Sequence, residues 1–114
     1  MKRPLTISLH FYGAQHPDNH FDLFIVSHDN LYLEHYPLSK TDLRQLLSGK
    51  PVAITPGHSH RLKYLNYSGL VGDNRGRVRV LLQSCIISEH PFSTQKIICH
   101  RDSVCYTTLN VQAD

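Results

Sequence analysis

His20-Phe21-Asp22 places an imidazole and a carboxylate two residues apart, the spacing at which side chains of a β-strand leave the same face. A second imidazole, His10, stands on the Thr6 and Ser8 side of an earlier alternating segment, opposite Leu5, Ile7 and Leu9. If the two segments pair as neighbours, His10, His20 and Asp22 converge. Two imidazoles and one carboxylate bind a divalent ion such as Mn²⁺, Fe²⁺ or Zn²⁺ and leave coordination positions open, which suits a reactive metal rather than a structural one. His16 is the alternative first ligand, nearer to His20 in the chain but set in a polar loop. The competing explanation is chance, because nine histidines in 114 residues make a His-x-Asp pair easy to find.

A second pair, His58-Ser59-His60, has the His-x-His form that carries metal in cupins. A glutamate should then follow shortly, and Leu62, Lys63, Tyr64 and Leu65 stand there instead, so His58 is read as an exposed loop residue after Pro56-Gly57. His60 opens the basic part of the chain. Arg61, Lys63, Arg75, Arg77 and Arg79 against Asp73 give a net +4 over residues 60–79, although the whole chain carries only +3. A basic excess confined to one segment suits an anionic ligand such as a nucleic-acid backbone, while the commoner origin of such a run is a solvated face. Tyr64 and Tyr67, three apart, face opposite sides if the segment is extended, and Tyr67 is then core packing. Cys85, Cys99 and Cys105 are odd in number and lack Cys-x-x-Cys spacing, so reduced, buried thiols in a cytoplasmic protein are expected. Cys99 and His100 project to opposite faces of a strand and make no nucleophile–base pair.

The elements that must hold these residues are mostly strands. Period-2 alternation bounded by turn residues predicts strands over residues 5–11, 21–27, 31–36, 52–55, 60–67, 77–82, 96–99 and 104–111. Residues 39–48 form the one expected helix, capped by Ser39, with Asp42 in its first turn, Gly49 as its stop and Leu43, Leu46 and Leu47 as its buried stripe. Asp73-Asn74-Arg75-Gly76 is a strong turn signal. The expected fold is mainly β: a single domain over 1–114, a small closed or partly closed β-barrel of short strands with one short α-helix. No apolar run approaches the roughly 18 residues of a membrane span. Alternation from Leu5 onward replaces the continuous apolar region of a signal peptide, so no membrane partner and no secretion are expected.

Residues 60–78, from His60-Arg61-Leu62-Lys63-Tyr64 through Ser68-Gly69 to Asp73-Asn74-Arg75-Gly76-Arg77, resemble the 3'-phosphoesterase domain of the bacterial DNA ligase D family. That family carries a histidine, a tyrosine a few residues on, an acidic residue before a glycine, and then a Gly-rich turn opening a strand. His20-Phe21-Asp22-Leu23 resembles its His-aromatic-Asp-Leu motif, preceded by a separate histidine closing the first strand. The motifs come in the same order with a helical stretch between them, so the likeness covers about residues 5–82. It implies a divalent-metal-dependent phosphoesterase of DNA repair, typically using manganese with zinc as another candidate, that trims 3'-phosphates or 3'-ribonucleotides from nucleic-acid ends. The ligase or polymerase of end-joining repair would be its protein partner.

Carried over by position, His10, His20 and Asp22 are the metal ligands, His60 faces the scissile phosphate, and Tyr64 is the tyrosine beside it. Phe24 stands where ligase-linked members have an arginine, Ser68 where they have an acid, and the region of Glu34-His35 where they have a lysine. Arg61, Arg75 and Arg77 are the substitutes that charge offers for gripping phosphate. The alternative implied by those replacements is a non-catalytic barrel of the same fold that binds nucleic-acid ends or a protein.

Overall fold

A computed structural model describes the backbone of residues 2–48, 52–87, 96–101 and 105–111, and the side chains of 3–48 and 52–84. The chain is mainly β. β1 (Lys2–Phe11), β2 (His20–Val26), β3 (Leu33–Leu38), β4 (Ala53–Ile54), β5 (Gly69–Leu70), β6 (Arg77–Ile87), β7 (Lys96–Arg101) and β8 (Cys105–Val111) accompany one α-helix, α1 (Lys40–Leu47), and a 3-10 helix, Leu62–Leu65. The sheet runs β3-β2-β1-β6-β7-β8-β4, with β5 added beside β6. All its pairs are antiparallel except β4 with β8. Among the described residues no helix is long and apolar enough to cross a membrane.

The sheet curls without closing, and the segment after β4 passes along β3. The Gly57 amide donates to the His35 carbonyl at 2.7 Å, and Leu33 and His60 exchange amide-to-carbonyl bonds of 2.8 and 3.0 Å. Three backbone bonds in place of a full ladder make this a partly closed barrel. They also carry His60 to β3, far from it in sequence.

β2 explains the layering. Five consecutive residues of this strand, Asp22 to Val26, are buried, so both of its faces must be covered. On one face Leu23 and Ile25 pack with Leu5, Ile7, Tyr36 and Leu38, under Leu46 of α1 and Val52 and Ile54 around β4. On the other, Phe24 and Val26 pack with Leu33 and receive Tyr64 and Leu65 of the 3-10 helix. Each fully buried aliphatic or aromatic side chain contributes about 1.5–3 kcal/mol. Arg3, buried at the start of β1, donates from Nε to the Val26 carbonyl at 2.8 Å and pairs with Glu34 at 2.7 Å, which fastens β1, β2 and β3 in one register.

The helix starts as expected. The Ser39 hydroxyl accepts from the Asp42 amide, and the Asp42 carboxylate accepts from the Ser39 amide, both at 3.0 Å. Leu46 is buried and Leu43 packs at the edge of the core, but Leu47 is 53% exposed, because a two-turn helix presents only a narrow stripe. The larger correction concerns residues 60–67, expected as a strand. Within them only Leu62–Leu65 are helical, a 3-10 turn that lets Tyr64 and Leu65 cover Phe24 and Val26, and the Thr6 hydroxyl donates to the Leu65 carbonyl at 2.6 Å. Tyr64 and Tyr67 consequently meet edge-on, with ring centroids 5.7 Å apart, instead of facing opposite sides. The environments of the three cysteines, of His90 and of the His100 side chain lie outside the described residues.

Candidate metal centre

The antiparallel register of β1 and β2 sets His10 directly opposite His20 and Ser8 opposite Asp22. Even-numbered residues of both strands share the face that carries Thr6 and Phe24. His10, His20 and Asp22 therefore offer ligand atoms that all lie within 4.8 Å of one another. His16 is not in this group: its Nδ1 accepts from the Asp18 amide at 3.1 Å and its ring stacks on Tyr12.

Hydrogen bonds assign the imidazole nitrogens. His20 Nδ1 donates to the Asp18 carbonyl at 2.8 Å, which leaves Nε2 to face Asp22 Oδ2 at 3.2 Å. His10 Nε2 donates to the Arg75 carbonyl at 2.6 Å, leaving Nδ1 as its ligand atom. That carbonyl is delivered by the 73–76 turn, where Asp73 and Asn74 adopt left-handed backbone angles and Gly76 has φ +78°. A Cβ on Gly76 would collide with the Phe11 carbonyl oxygen, so glycine is required for the turn to approach β1. Backbone carbonyls that orient the far nitrogen of each histidine are the outer support a metal-binding imidazole needs, and the donor set fits a divalent ion.

Asp22 is buried and held by two imidazoles, His20 through Oδ2 and His35 Nε2 through Oδ1 at 2.6 Å. Burial pushes its carboxyl up, but the His20 and His35 hydrogen bonds outweigh it and hold the group well below the usual carboxylate range. The same hydrogen bond raises His20 to about 8, against an opposing effect of burial. Without metal, a proton thus sits between His20 Nε2 and Asp22 Oδ2, where a cation would replace it.

A pocket of about 130 Å³ opens beside these ligands. His10, Asp22 and Ser8 form one wall, His60 and Tyr64 another, and Phe24, Val71 and Val78 make the rest apolar, with Arg75 at the rim. No protein-family model, curated protein or solved structure matches this chain.

Of the residues expected at the site, His10, Asp22, His60, Tyr64 and Arg75 line the pocket, and His20 joins them through the ligand group it forms with His10 and Asp22. Arg61 stands 5.9 Å from the Tyr64 ring centroid and Arg77 is exposed on β6, and neither lines the pocket. The Arg75 Nε donates to the Gly72 carbonyl at 3.1 Å. His60 donates from Nδ1 to the His58 carbonyl at 2.9 Å, so Nε2 is its free nitrogen, and burial beside His35 lowers its pKa. His35 had no expected role. Its only signal was the strand alternation Leu33, His35, Pro37, which meets Phe24 once the β2–β3 register is known.

Proposed function

We propose that the protein is a divalent-metal-dependent phosphoesterase acting on 3'-ends of nucleic acid, removing a 3'-phosphate or 3'-ribonucleotide in DNA repair, with Mn²⁺ as the first candidate ion. The observation that carries this reading is the convergence of His10, His20 and Asp22 next to a pocket walled by His60. Bound there, a divalent ion would supply charge for a phosphoryl oxygen and acidify a water.

The chain's residues divide the remaining work. His10, His20 and Asp22 hold the ion. His60, uncharged at neutral pH and with Nε2 free, accepts a proton from the attacking water or a hydrogen bond from the substrate. The lowered pKa of His60 disfavours it as a proton donor to the leaving oxygen. Arg75 at the rim, and Arg61 and Lys63 on the exposed surface around Tyr64, attract the phosphate backbone without reading sequence, whereas Arg77 and Arg79 leave the face of β6 opposite to Val78 and the pocket. The pocket is small beside the roughly 300–1,000 Å³ of ligand sites that enclose a whole small molecule. It suits a terminal phosphoryl group with the nucleoside outside.

One observation favours the non-catalytic alternative: Phe24 is 4% exposed and makes the pocket wall apolar where the resembling family has an arginine. The test is incubation of Mn²⁺-loaded protein with oligonucleotides ending in a 3'-phosphate or a single 3'-ribonucleotide. Release of phosphate or nucleoside that is lost in Asp22→Asn supports the phosphoesterase. Binding of both oligonucleotides without turnover supports the end-binding barrel instead.

A further inference from the structure

Asp22 has two carboxylate oxygens, and the structure gives them different partners. Oδ2 faces His20 Nε2 at 3.2 Å, whereas Oδ1 accepts from His35 Nε2 at 2.6 Å. His35 itself is outside that group, so it touches the carboxylate without sharing the point where the three ligands meet. Its side chain is only 12% exposed. Phe24 and His60 lie against it with centroids 5.2 and 4.5 Å away, and a Cβ placed on Gly57 would come within 2.8 Å of Nδ1. The Gly57 amide bond to the His35 carbonyl fixes the backbone at the same place. These neighbours hold the imidazole against Asp22.

We propose that His35 is a positioning residue of the metal centre, holding Asp22 by one oxygen so that the other alone faces the ion. The inference rests on the metal-dependent reading above. Its chemical consequence concerns coordination number. A carboxylate free to rotate can chelate through both oxygens and fill a position needed by water or substrate, whereas a clamped one supplies a single ligand. With two imidazole nitrogens and one oxygen from the protein, a divalent ion bound there would retain open positions for substrate and water. His35 thereby keeps the centre open. The Nδ1 atom, buried and without a partner among the described residues, marks the cost of placing the ring here.

The experiment compares the full chain with His35→Leu, which fills the space without a donor, and His35→Gln, whose amide restores an N–H. Mn²⁺ affinity is read from the electron-spin resonance of free Mn²⁺, coordination from the visible absorption of Co²⁺-loaded protein, and folding from thermal unfolding without metal. His35→Leu is expected to weaken Mn²⁺ binding by about 10- to 100-fold and to alter the Co²⁺ bands, with His35→Gln recovering most of both. Gly57→Ala, which leaves both hydrogen-bonding groups in place but displaces the ring edge, is expected to weaken Mn²⁺ in the same direction. It keeps the question decidable if His35→Leu does not fold. Parent-like affinity and spectrum in His35→Leu, or equal losses in His35→Leu and His35→Gln, would assign His35 to packing and overturn the proposal, as would an unaltered affinity in Gly57→Ala. A parent protein that binds neither ion overturns the metal reading itself, a result distinct from binding that is indifferent to His35.

Discussion

Raising the pH should move the metal-free and metal-loaded proteins in opposite directions. His20 titrates near 8 in the folded chain, against an ordinary value of 6.5, because it shares its proton with Asp22. A folded pKa above the unfolded one contributes stability that is fully present below 6.5 and is lost as the pH rises through about 8. Metal-free protein should therefore unfold at a lower temperature at pH 8.5 than at pH 6.5. The His20 side chain is 38% exposed, so solvent screens the pair and the shift should be small.

Metal binding reverses the sign, because the ion must displace that proton. Below about 8 each pH unit should weaken the affinity by about tenfold, or about 1.4 kcal/mol, and above it the dependence should flatten. Asp22 is ionised throughout this range and adds nothing to the slope. Calorimetric titration with Mn²⁺ at pH 7, 8 and 9, in two buffers of different ionisation heat, measures both the affinity and the proton released. An affinity at pH 7 equal to that at pH 9, or binding without proton release, would show that His20 Nε2 is not where the ion sits.

Three further substitutions probe the frame around the site. Ser8→Ala should leave stability unchanged or slightly raised, because the buried Ser8 hydroxyl has no hydrogen-bond partner among the described residues; a loss above about 1 kcal/mol in urea unfolding would expose a hidden partner. Phe24→Ala should cost about 3–5 kcal/mol, since the ring packs against Val26, Leu33, Tyr64 and Leu65 as well as two imidazoles, and an unchanged urea midpoint would contradict this second core. Ser39→Ala should cost about 1 kcal/mol through the lost capping box, with Mn²⁺ affinity untouched, and a change in affinity would mean that α1 is coupled to the centre.

The metal group itself was legible because it depends on local rules. His20 and Asp22 share a strand face by period, His10 lies on the polar side of the preceding strand, and adjacent strands tend to pair. One register then brings all three together. The capped helix was legible for the same reason, since its signals span only three or four residues. His60 was marked by its His-x-His pair and its place at the head of the basic segment, its role came from resemblance to a motif, and what brings it to β3 is the closing segment that bonds Leu33.

The 3-10 helix and His35 were not legible, and the physical reason is shared. Both answer to burial on the second face of β2, which no residue in 60–67 or 33–38 reports by itself. An alternating or mildly apolar stretch is compatible with an extended strand until another element demands to be covered, and packing of Tyr64 and Leu65 on Phe24 then decides its shape. Likewise a histidine on an interior strand face is an ordinary half-buried residue until the β2–β3 register places Asp22 at 2.6 Å from its ring. Composition and period chose the residue types and the faces they occupy. Which faces close over one another, and so which imidazole becomes ligand, clamp or wall, followed from the curling of the sheet.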